Sequence, residues 1–168
     1  MTSMQEIRDF LNLKRFAFVG VSRQPKDFSR MLFREFLARG YQAVPVNPDA
    51  GEIEGQPCFA RLQEVQPPVE GVLFMTAPAV TDTLVRDCPG AGIKHVWMYR
   101  AGGAGAATAD AIHFCESNAR GGMQSGGRHP AQTARHRVSQ FRIGEEDRGI
   151  LPTLSRPVAQ ASAWWAIH

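Results

Sequence analysis

From Phe16 to Arg30 the chain reads FAFVGVSRQPKDFSR, an apolar run that stops at one glycine and passes into a loop carrying Ser22, Arg23, Lys26, Ser29 and Arg30. A small residue permits the turn, hydroxyls donate hydrogen bonds, and guanidinium and ammonium groups neutralise anions. The set suits a ligand with several phosphates. The same cations would also serve as solvated charges on an ordinary surface loop. Three other segments follow apolar runs in the same way: Asn47-Pro48, Thr76-Ala77-Pro78 and Met98-Tyr99-Arg100-Ala101-Gly102. In an open α/β sheet ligands sit beyond the carboxyl ends of the strands, so all of these would line one edge.

The first loop discriminates between cofactors. A dinucleotide site uses G-x-G-x-x-G after the first strand, for the tight turn, the close approach of pyrophosphate and close helix packing. Only Gly20 is present, and the second apolar run ends in Asn47 and Pro48 where a ribose-binding acid would stand. Both features disfavour NAD. Catalytic candidates are weak: His95 opens a strand and reads as structural, His113 lies on a helix, and Cys115 has no evident base. Gly102 to Gly105 could form an anion nest or a plain turn. No Ser-His-Asp order, metal-ligand cluster or carboxylate pair stands out, so the expectation is a binding domain rather than an enzyme.

The elements that must carry these residues follow from pattern. Ser3-Met4-Gln5-Glu6 has capping-box spacing, and Ile7, Phe10 and Leu11 continue a helix to about Leu13. Phe16 to Val21 is a short continuous apolar run, as in a parallel strand covered on both faces. Phe28, Met31, Leu32, Phe36 and Leu37 mark a helix that Gly40 stops, with Asp27 or Ser29 as its N-cap. Tyr41 to Val46 is a second strand, placed at an edge or made irregular by Pro45. A connection with a short helix near Ala60 to Val65 leads to a third strand, Val69 to Met75, and a helix with Val80, Leu84 and Val85. Lys94 to Tyr99 is a fourth strand, followed by a helix with Ala111, Ile112 and Cys115. Strands alternating with helices predict a Rossmann-like, open, mainly parallel sheet with helices on both faces.

The chain has 168 residues, 43% hydrophobic and 21% charged, which fits a soluble domain with a real core. Neither a run of 18 apolar residues nor a signal-like core near the N-terminus is present, so a cytoplasmic protein off the membrane is expected. Cys58, Cys88 and Cys115 are odd in number and lack C-x-x-C spacing, as for reduced, mostly buried thiols. Residues 1–118 hold 12 Lys and Arg against 13 Asp and Glu, whereas residues 119–168 hold 7 against 3, so the net +3 resides in the tail. The tail has no Lys, Cys or Tyr, few aliphatics and neither helical nor strand period, and no secure strand can be placed in it. Without a Lys/Arg run or an aromatic series, nucleic acid is disfavoured as its partner.

Taken together and in order, FVGVSRQPKDFSRMLFREFLARGYQAVPVNPDAGEIEGQPCFARLQEVQPPVEGVLFMTAP and HVWMYRAGGAG resemble the CoA-binding protein family related to the CoA-binding domain of the succinyl-CoA ligase alpha subunit. The likeness spans roughly residues 5–118. It implies a Rossmann-like domain that takes coenzyme A or an acyl-CoA. By position, Gly20, Val21, Ser22 and Arg23 would cradle the phosphates with Ser29, and Val46, Asn47 and Pro48 would border adenine and ribose. Thr76, Ala77 and Pro78 would meet the nucleotide or the start of the pantetheine arm, with Met98 and Tyr99 along its further course. Lys26 and Arg30 are added on electrostatic grounds. The ligase's phosphorylated histidine domain and partner subunit have no counterpart in this sequence, which favours a non-catalytic or regulatory role.

Relatives in that family continue with a further strand, a Cys-Pro segment and a last helix. Here they are expected to be missing or altered, because the tail from Ala119 has the composition of a GC-rich gene read in a shifted frame, or of a disordered extension. The division is thus 1–118, CoA-binding domain, and 119–168, atypical basic tail. Two other readings are an NAD(P)-binding oxidoreductase-type domain and a protein-interaction module acting through the tail; a protein partner cannot be named.

Overall fold

A computed structural model describes residues 4–100, 106–121 and 137–142 of the chain. The expected capping Ser3 and the Gly102 to Gly105 nest lie outside them. Helix α1, Met4–Asn12, leads into strand β1, Arg15–Val19. The alternation RFAFV sends Phe16 and Phe18 to one face of the sheet and Ala17 and Val19 to the other, and all of these are buried. Burial on both faces explains why this stretch is apolar throughout.

Helix α2, Phe28–Ala38, returns the chain to strand β2, Gln42–Val46, at the sheet edge. It buries Leu32, Phe33 and Phe36, one helical stripe, against β1. Asp27 occupies the N-cap position but makes no side-chain cap bond. Its carboxylate accepts the Ser22 hydroxyl instead. After β2 comes a hairpin unforeseen from sequence, β3, Glu52–Ile53, and β4, Gln56–Pro57. Such two-residue strands are too short for a period to register. The expected short helix is a single 3-10 turn, Leu62–Glu64.

Strand β5, Gly71–Phe74, helix α3, Pro78–Leu84, strand β6, His95–Arg100, and helix α4, Ala109–Gly121, repeat the strand-helix theme. Strand β7, Arg137–Arg142, closes a five-stranded sheet of order β2-β1-β5-β6-β7, and every pairing is parallel. Strand β7 falls in the tail, where no secure strand could be placed from sequence. RVSQFR lacks two-residue alternation, so nothing local marks it; six register partners along the edge of β6 specify it. The last helix expected of relatives falls outside the described residues.

The core has two layers. One face packs aromatics: Phe16 lies 5.1 Å from Phe10 and 5.0 Å from Phe36, and Phe10 meets Trp97 edge-on at 5.1 Å. The other is aliphatic, with Val72, Phe74, Val96 and Met98 against Val85, Ile93, Ala111 and Cys115. Each fully buried large side chain contributes roughly 1.5–3 kcal/mol, so β1 is fixed from both sides.

Candidate functional site

The order β2-β1-β5 creates a switch point. From β1 the chain crosses to β2 on one side and later returns to place β5 on the other, so the connections leaving β1 and β5 diverge. Gly20 stands where they part. Its φ is +91°, and a Cβ there would come within 2.7 Å of the Met75 carbonyl oxygen and 2.9 Å of Thr76 Cγ2. Both the backbone conformation and the close approach require glycine. The end of β1 therefore lies directly against the start of the Thr76-Ala77-Pro78 turn.

Beyond Gly20 the loop folds on itself. Val21 is fully buried in the aromatic layer, and its carbonyl accepts Asn47 Nδ2 at 3.0 Å, which ties the loop to the end of β2. Asn47 Oδ1 also accepts the Asp49 amide at 2.9 Å, so the amide expected beside the ligand's adenosine has structural work on both of its ends. The Ser22 amide donates to Ser29 Oγ at 3.0 Å, and Ser22 Oγ accepts the Gln24 amide at 3.0 Å. Among the described residues no acceptor takes the Ser29 hydroxyl proton.

The cations divide into two sets. Arg30 donates through Nε to Glu54 Oε1 at 2.5 Å and through Nη1 to the Ser22 carbonyl at 3.1 Å. Arg34 reaches the same Glu54 oxygen at 2.7 Å and the Pro25 carbonyl at 3.1 Å. Hydrogen bonding from Arg30 is the largest influence on the Glu54 carboxyl and holds it below the ordinary value of 4.5, against the opposing effect of burial. Arg23 and Lys26 are exposed and have no partner among the described residues. They are the charges left for an anion.

The β5 end is held by hydroxyls. Thr76 Oγ1 and Thr81 Oγ1 are 2.7 Å apart, and Thr81 also donates to the Ala77 carbonyl at 3.3 Å. Thr81 is completely buried, a polar core residue that sequence reading passed over because one threonine in an amphipathic helix carries no pattern. Pro78 starts α3, where its missing N–H costs nothing, and both Ala77 and Pro78 are exposed.

Not every expected residue faces the loop. Met98 is fully buried and Val46 is 5% exposed, both within the aliphatic layer. Tyr99 is half-buried, its ring 5.5 Å from Phe28 at the start of α2, and burial raises its phenol. Through that contact the end of β6 reaches the first loop. Ser22, Ser29 and Asn47 are brought together around the loop; Pro48 is exposed beyond the end of β2.

The thiols are poor nucleophiles. Burial pushes Cys115 up to about 12, and Cys88 and Cys58 rise for the same reason. No group of three or more His, Cys, Asp or Glu among the described residues could hold a metal ion. No helix among them is long and apolar enough to cross a membrane.

Comparison with known proteins bears on the same region. Over 69 residues the chain is 35% identical to the uncharacterized protein YneT of Bacillus subtilis (strain 168), a match taking in 40% of this chain and 51% of that protein. The chain thus spans about half the length of this curated relative. Among solved structures, a conserved hypothetical protein of Pyrococcus furiosus superposes with a TM-score of 0.60 at 25% identity, over 76% of this chain and 93% of that one. A hypothetical protein of Pyrococcus horikoshii OT3 gives 0.67 at 20% identity, over 87% and 89%. The dinucleotide-forming acetyl-coenzyme A synthetase 1 of Ca. Korarchaeum cryptofilum, in complex with phosphate and ADP, gives 0.57 at 22% identity, over 71% of this chain and 26% of that one, and shares the fold. The family described as CoA binding domain matches residues 14–129, a span that contains β1 through α4 and the switch point; the chain belongs to this family.

Proposed function

We propose that the chain binds coenzyme A or an acyl-CoA at the carboxyl ends of β1, β2, β5 and β6, and that it does so as a non-catalytic, regulatory or carrier domain. The observation that carries this reading is the β1 loop, in which Arg23 and Lys26 stand exposed and uncommitted after the glycine that packs against the β5 turn. Coenzyme A has a diphosphate and a 3′-phosphate, and two cations with a free hydroxyl on Ser29 complement that charge. Gly20 lets the loop start directly against the Met75–Thr76 backbone, which brings the two turns to one place at the sheet edge.

Thr76, Ala77 and Pro78 would border the nucleotide or the start of the pantetheine arm, with Tyr99 further along. Val46 and Met98 support this arrangement from the core rather than by contact. Family membership supports a CoA-related role, and the inert cysteines favour binding without chemistry. All of these residues precede Asn118.

Calorimetric titration with CoA, dephospho-CoA and NAD tests the proposal. CoA should bind, dephospho-CoA should bind more weakly through loss of a phosphate, and NAD should give little heat. Tight NAD binding with no heat from CoA would overturn it.

A further inference from the structure

The β3–β4 hairpin turns at Glu54 and Gly55, whose φ values are +52° and +72°. A turn with positive φ at both central residues favours Asn, Asp or Gly at the first position, and glutamate is an unfavourable choice there. Its side chain explains its presence. One carboxylate oxygen accepts Arg30 Nε at 2.5 Å and Arg34 Nε at 2.7 Å, with the Arg30 and Glu54 side chains only 14% and 24% exposed.

Each arginine then uses its other end on the loop after β1. Arg30 Nη1 donates to the Ser22 carbonyl and Arg34 Nη1 to the Pro25 carbonyl, both at 3.1 Å. The clamped carbonyls bracket Arg23 in the chain and immediately precede Lys26. On the other side of the loop Asp27 accepts the Ser22 hydroxyl, so Glu54, Asp27, Arg30 and Arg34 are the charged groups that set its course. A solitary surface ion pair would contribute little. Here one acceptor orients two planar guanidiniums that together fix the loop's backbone at two points.

The geometry points to Glu54 as a positioning residue: through Arg30 and Arg34 it holds the β1 loop so that Arg23 and Lys26 present their charges to the phosphates of the ligand. This rests on the CoA reading. It assigns the hairpin a part in the site, and it gives Arg30 the task of holding the loop.

The test uses the full chain with Glu54→Gly, Glu54→Asp, Arg23→Ala and the double variant Glu54→Gly/Arg23→Ala. Glycine accepts the positive φ, so in Glu54→Gly the relieved strain of the turn offsets the lost ion pairs, and the thermal midpoint should stay near that of the parent. Without ligand, amide exchange across Ser22 to Lys26 should quicken in Glu54→Gly and recover in Glu54→Asp. Affinity for CoA should fall about five- to thirty-fold in Glu54→Gly, as for loss of a charge-assisted contact. In the Arg23→Ala background the same change should cost less, because one of the two residues that Glu54 presents is gone.

Unchanged loop exchange in Glu54→Gly overturns the proposal, as do additive losses in the double variant. Were the parent to bind no CoA, the proposed function would fall while the ligand-free exchange still decided whether Glu54 holds the loop.

Discussion

Two turns meet at the switch point, and they are built from different materials. The one after β1 is charged, with an acceptor shared by two arginines and two more cations exposed. The one after β5 is neutral, held by the Thr76–Thr81 hydroxyl pair and started into α3 by a proline. They lie so close that Gly20 has no room for a Cβ. Under the proposed CoA reading the difference is a division of labour: the first turn would supply charge for phosphates, and the second a rigid, uncharged wall for less polar parts of the ligand.

Gly20→Ala should break the comparison most severely, because it forces the two turns apart. A methyl within 2.7 Å of the Met75 carbonyl, at a φ of +91°, should lower stability by about 2–4 kcal/mol in equilibrium denaturation and abolish CoA binding. A variant of wild-type stability would mean that the turns separate freely.

Arg23→Ala addresses the charged turn alone. It should weaken CoA by about 1–3 kcal/mol in calorimetry while leaving the denaturation midpoint in place. Unchanged CoA affinity would remove Arg23 from the phosphate site.

Thr81→Val is the counterpart at the neutral turn. Removing the buried hydroxyl deprives Thr76 of its partner and should cost about 1 kcal/mol of stability, with a smaller effect on CoA affinity than Arg23→Ala. The reverse ranking would transfer the phosphates to the second turn.

The smallest effect is a pH dependence confined to the charged turn. Hydrogen bonding from Arg30 lowers the folded pKa of Glu54 below its ordinary 4.5, so the carboxylate's stabilisation is complete above that value and is lost as pH falls through the lower folded value. Acid denaturation of wild type and Glu54→Gln should diverge at neutral pH and converge in acid. Parallel curves across that window would show that the pair adds nothing.

Much of the fold was legible locally. Phe16 to Val19 reads as a buried strand because both faces must be apolar, and Gly40 stops α2 through its own conformational freedom. The Thr81 hydroxyl, the Glu54 hairpin and strand β7 were not legible, since each is defined by a partner that hydrophobic period does not reveal: Thr76 across a turn, Arg30 across 24 residues, and the open edge of β6. Asp27 illustrates the ambiguity, because its type suits a helix cap and the structure uses it on Ser22.

What the amino-acid sequence determined by itself is the class of the sheet, the position of the turns at its carboxyl edge and the chemistry of the first loop, because these depend on hydrophobic period and residue type. Tertiary structure alone decided which cations are free. Arg23, Lys26, Arg30 and Arg34 are alike as residues of one basic stretch. Only the folded hairpin, by placing a carboxylate beside two of them, separates the charges that hold the loop from those it can offer to a ligand.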